Sequence, residues 1–124
     1  MAMMSPDEIG NAVFPVLERY REHVLFSYIF GSAARNEQQP LSDIDIAVYL
    51  TSRPFEQYPD MKFTLHAEFC RALKRDDIDL VILNTAGNLI LLDEIVRSGM
   101  VVYDRDPEAR ENFELAIQIG RAHV

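Results

Sequence analysis

VLFSYIFGSAARNEQQPLSDIDIAVYL, residues Val24 to Leu50, holds two apolar runs separated by a polar stretch, and its reading decides the fold. The first run, Val24 to Phe30, is continuous, aromatic and β-branched, and has the length of a buried strand. Gly31-Ser32 ends it, Ala33-Ala34-Arg35 suit a short helix, and Asn36 to Leu41, polar and with a proline, reads as a loop. The second run, Asp43 to Leu50, alternates and reads as a second strand.

Outward from this stretch, strand and helix patterns alternate. Ser5-Pro6-Asp7-Glu8 has the form of a helix start, with serine at the cap and glutamate three residues on. Ile9, Val13 and Leu17 continue at helical spacing, and Pro15 is expected to kink or split that helix. Pro54 to Pro59 reads as a turn-rich connection, and Asp60 to Lys74 as a helix with Leu65, Phe69, Ala72 and Leu73 on one face. Ile78 to Leu83 forms a third strand, Asn88 to Ser98 a helix stopped by Gly99, and Met100 to Tyr103 a short fourth strand. A last helix starts at Asp106-Pro107 with Phe113 and Ile117 facing inward. The pattern is that of one small α/β or α+β sheet domain spanning residues 1–124, with residues 1–5 as a loose tail.

Composition narrows the function. The chain has 124 residues, 48% hydrophobic and 26% charged, enough for one domain with a core. A formal charge of −8 argues against a domain that grips a nucleic-acid backbone, though divalent cations would let it meet a triphosphate. The single cysteine, Cys70, is read as a small apolar residue in a reducing compartment. No signal-peptide pattern and no run long enough to cross a bilayer occurs, so a cytoplasmic protein without membrane contact is expected. His23, His66 and His123 are scattered and read as surface residues.

Three features of the stretch and its sequel carry chemistry. Gly31 permits a sharp turn and close approach of a ligand to the backbone, and exposed amides with the Ser32 hydroxyl suit an anion. Asp43 and Asp45, two apart on a strand, project from one face with Cα atoms about 6.5 Å apart, while Ile44 and Ile46 point into the core. The plainer alternative is an edge strand whose acids face water. Asp79 lies between Ile78 and Leu80, where an acid is costly unless paired or bound to metal, with Asp77 a competitor for its role. Three such carboxylates together repel and need cations, and oxygen ligands favour Mg²⁺ or Mn²⁺ over zinc.

The conjunction of Gly31-Ser32, a ten-residue spacer, Asp43-Ile44-Asp45 and a later Asp79 resembles the DNA polymerase β-type nucleotidyltransferase superfamily, in the form found in minimal nucleotidyltransferase (MNT) antitoxins. The resemblance implies a mixed sheet of about four strands flanked by helices. It implies that Asp43, Asp45 and Asp79 are the catalytic acids and hold two Mg²⁺ ions, and that Gly31 and Ser32 hold the terminal phosphates of ATP. Arg35, one turn beyond Ser32, is placed to reach a phosphate or to stay a solvated surface arginine. The resemblance further implies a hetero-oligomer with a HEPN-domain toxin, to which AMP is transferred on a tyrosine. A lone small domain offers no separate pocket for a small substrate, which favours a protein acceptor. Two alternatives stay open: a transferase with a small-molecule, aminoglycoside-type acceptor, and a binding module that neutralises a partner by contact, its carboxylates vestigial.

Overall fold

The computed structural model describes residues 4–35 and 42–122; the loop expected over 36–41 and His123 lie outside them. Four strands form one mixed sheet: β1 (Val24–Phe30), β2 (Ile44–Leu50), β3 (Ile78–Ile82) and β4 (Met100–Asp104), in the order β3-β2-β1-β4. β1 runs antiparallel to both neighbours, and β2 and β3 run parallel. The helices are α1 (Pro6–Arg19), α2 (Gly31–Ala34), α3 (Tyr58–Leu73), α4 (Leu89–Ser98) and α5 (Pro107–Ala122).

Side-chain alternation divides the sheet into two faces. Ile44, Ile46, Val48 and Leu50 of β2, with Ile78, Leu80 and Ile82 of β3, meet Ile9, Val13 and Leu17 of α1 and Leu65 and Phe69 of α3. Phe26, Tyr28 and Phe30 of β1, with Ala47, face Leu92 and Ile95 of α4 and Ile117 of α5. The second face also holds a polar tie: the Tyr28 hydroxyl donates to Glu114 at 2.6 Å, and Arg110 bridges Glu114 and Asp104.

Several sequence expectations are corrected. Residues 4 and 5 are not a loose tail: Ser5 and Glu8 close a reciprocal capping box on α1, and Met4 packs against the core. Pro15 does not split α1, which runs unbroken through it. Its ring sits on the exposed side, so the carbonyl it leaves unpaired faces water. β2 begins at Ile44, so Asp43 stands one residue before the strand. Part of the connection before α3 is a turn of 3₁₀ helix, Phe55–Gln57, and α3 starts early enough to hold Pro59 in its first turn. His23 and His66 are half-buried: Arg53 donates to His23 Nδ1 at 2.9 Å, and His66 Nε2 donates to the Ile78 carbonyl at 2.9 Å. Both act as structural pins. Among the described residues no helix is long and apolar enough to cross a membrane.

Candidate active site

The parallel register pairs Asp45 of β2 with Asp79 of β3. The antiparallel register pairs Asp45 with Phe30, the residue before Gly31. Ile44, Ile46, Ile78 and Leu80 are buried toward α1 and α3, so Asp45 and Asp79 project from the opposite face. That face is covered by α4 and α5 over β1, and it is there that the carboxylates come together.

Gly31 has φ +69°, the left-handed region that favours glycine. A Cβ at this position would collide with the Asp45 carboxylate. The glycine therefore serves two needs at once, a backbone turn at the end of β1 and room for an acid side chain. Ser32 follows it in α2, half-buried beside the carboxylates' strand.

The acids act on one another electrically. Burial, then the charges of Asp79, Asp43 and Glu94, push the Asp45 carboxyl up to about 6, with Arg35 opposing. Glu94 of α4, an acid that sequence reasoning missed, belongs to this field and pairs with Arg35 at 3.6 Å. In sequence it is one more polar residue on an amphipathic helix, and only the packing of α4 on β1 brings it over the site. Asp43 and Asp79 are exposed.

Asp77 is occupied elsewhere. Both its oxygens are bound by the buried guanidinium of Arg75, which holds its carboxyl below the usual carboxylate range. Arg75 also donates to the Ser42 carbonyl at 3.1 Å, and the Ile44 amide donates to the Asp77 carbonyl at 3.0 Å. These bonds fasten the approach to β2 against the start of β3, so the segment bearing Asp43 is held in step with Asp79. Arg75 is a second residue that the sequence did not single out.

Hard carboxylate oxygens on adjacent strands, one of them pushed toward its neutral form by burial and then by its neighbours' charges, are the donor chemistry suited to a divalent cation such as Mg²⁺ or Mn²⁺. Among the described residues no three acidic, histidine or cysteine side chains are drawn close enough to form a finished cage.

Beyond Asp79, at the free edge of β3, lies an open groove of about 470 Å³ lined by Phe55, Tyr58, Lys62, Asp79 and Val81. It arises because α3 and the turn before it overhang the edge strand.

The model of the polymerase β nucleotidyltransferase family matches residues 11–108, from α1 to the start of α5. The chain belongs to that family. No curated protein matches it. A chain in the crystal structure of a toxin–antitoxin with AMP-PNP is 25% identical, with a TM-score of 0.76 over 92% of this chain and 87% of that one. The tri-AMPylated HEPN toxin of Shewanella oneidensis in complex with its MNT antitoxin includes a chain with the same fold, 23% identical, with a TM-score of 0.71 over 95% and 87%. The MntA–HepT toxin–antitoxin also shares the fold at 23% identity and a TM-score of 0.69, over 93% of this chain and 86% of that one. The matched span takes in the turn after β1, with Gly31-Ser32, and the segment from Asp43 through β2 and β3.

Proposed function

We propose that the chain is a metal-dependent nucleotidyltransferase that moves AMP from ATP to a tyrosine hydroxyl of a HEPN-type toxin, and so acts as an antitoxin. One observation carries the proposal: the register that sets Asp45 beside Asp79, with the side-chain-free Gly31 against the Asp45 carboxylate. The neighbouring toxin–antitoxin structures, one with AMP-PNP and one with an AMPylated toxin, support the choice of nucleotide and acceptor.

Asp43, Asp45 and Asp79 would hold the metal ions. When bound, such ions lower the pKa of the attacking hydroxyl and stabilise charge on the entering and leaving oxygens of an in-line displacement. The chain's own groups orient the reactants around that centre. The turn at Gly31 lets the triphosphate approach backbone amides, and the Ser32 hydroxyl adds a donor for its terminal phosphates. Arg35, tied to Glu94, is within reach of the same side and offsets negative charge there. The acceptor oxygen bonds to the α-phosphorus, the bond to the β-phosphate oxygen breaks, and pyrophosphate leaves with the electron pair. The acceptor's proton passes to a carboxylate or to water.

The test is to incubate the purified chain with Mg²⁺, ATP and a HEPN-type toxin, sought first among the genes beside its own, and to read intact masses. Mass added to the toxin in units of AMP, lost with Asp43→Asn and Asp45→Asn together, is the expected result. An unmodified toxin whose activity is still suppressed within a complex would overturn it in favour of neutralisation by contact.

A further inference from the structure

Among the described residues, Leu80 is the position on the free edge of β3 that leaves both its amide and its carbonyl open, and it stands next to Asp79. In the β2–β3 ladder the Ile44 amide donates to the Asp77 carbonyl and the Leu83 amide to the Val48 carbonyl. Odd-numbered residues of β3 therefore turn their backbone groups toward β2, and even-numbered residues turn theirs outward. The outward carbonyl of Ile78 is taken by His66 Nε2 at 2.9 Å, and that of Ile82 by the Thr85 amide at 3.3 Å. Leu80 keeps both its amide and its carbonyl turned to the free edge, where no described residue outside the sheet meets them. The groove of about 470 Å³ lies along this window, walled by Phe55, Tyr58 and Lys62.

We infer that the acceptor protein, on the reading proposed above, docks an extended segment on this edge, pairing its backbone with Leu80 as a short fifth strand. An open pair of backbone groups is satisfied best by another backbone, which is the means by which sheet edges capture peptides. The pairing fixes which way side chains point. The residue opposite Leu80 shares that residue's face and enters the groove beneath α3, so an apolar side chain suits it. The residue next to it turns to the other face and arrives beside Asp79, where the hydroxyl is needed. The acceptor motif is thus an apolar residue adjacent to a tyrosine. The Asp43, Asp45, Asp79 and Glu94 carboxylates favour basic residues flanking the pair.

The test uses the full ¹⁵N-labelled chain and two synthetic peptides, acetyl-Lys-Val-Leu-Tyr-Lys-amide and the same peptide N-methylated at the leucine. Docking on the edge predicts shifts at the Leu80 and Ile82 amides, slower exchange of the Leu80 amide, and affinity about tenfold weaker for the methylated peptide. Phe55→Ala, at a side chain 72% exposed and so without consequence for folding, should weaken binding of the first peptide. Shifts confined to other residues, or equal binding of both peptides, would overturn the inference. The readout needs no catalysis. Docking without AMP transfer would leave the edge standing and sink the transferase reading. AMP transfer to the toxin at a KM unchanged by Phe55→Ala would do the reverse.

Discussion

The Asp45 carboxylate occupies the space that a side chain at Gly31 would need. Gly31→Ala therefore faces two penalties, a left-handed backbone costing about 1–2 kcal/mol and displacement of the carboxylate. The variant is expected to fold with a lowered melting temperature and to lose about 100-fold in nucleotidyl transfer, since small misplacement of a reacting group costs that much. Thermal melts and turnover of the same preparation separate the two effects. A variant with near-normal turnover would show that Asp45 does not need its present position.

Asp45 also makes stability depend on pH. Its carboxyl releases a proton near about 4 in the unfolded chain and holds it up to about 6 in the fold. Between those values the folded state binds more protons. The stability this group contributes is complete below about pH 4 and is lost as pH rises through about 6. Asp45→Asn should accordingly melt higher than the wild type at pH 7 without metal, the gap narrowing toward pH 4. Carboxyl NMR titration offers a second check. Asp79→Asn should bring the Asp45 value down more than Glu94→Gln does, in keeping with their relative influence.

Metal and nucleotide are expected to stabilise jointly. Mg²⁺ with ATP should raise the melting temperature by more than the sum of each alone, and chelation should reverse the gain. Asp43→Asn with Asp45→Asn should abolish the synergy while leaving the apo fold as stable or more so. A wild type that shows no shift at millimolar Mg²⁺ and ATP would count against nucleotide binding by the isolated chain.

Asn84 supplies a test remote from the carboxylates. Its side chain accepts from the Leu50 amide at 2.8 Å and donates to the Leu50 carbonyl at 2.9 Å, closing the end of β2 as a neighbouring strand would. Asn84→Ala should lower stability by about 1–3 kcal/mol by leaving both groups unmet. Asn84→Asp should not rescue it, because the acid sets an oxygen against the Leu50 carbonyl. Chemical denaturation of both variants decides the matter.

Strand and helix order was legible because apolar periodicity and cap residues act locally: Val24 to Phe30 and Ser5 to Glu8 need no tertiary context. The shared face of Asp45 and Asp79 was legible in part, since each lies between apolar neighbours that must point the other way. Glu94 and Arg75 were not. Their roles depend on how α4 lies over the sheet and on the turn that brings Arg75 against Ser42, and no short-range pattern encodes either. Pro15 misled for a similar reason. What a proline costs depends on whether the orphaned carbonyl meets solvent, and exposure is a property of the assembled fold.

The parallel pairing of β2 with β3 has a consequence for how the chain folds. A parallel neighbour can be reached only by a crossover, here the connection containing α3, and such distant pairings form slowly. Asp45 and Asp79 do not feel one another until that crossover closes, so their repulsion falls on a late step of assembly and not on early collapse. Mild acid or Mg²⁺ should then speed refolding of the wild type in stopped-flow measurements and leave Asp79→Asn nearly indifferent. A cation held by these charges, as proposed above, would then also be an assistant in the chain's folding.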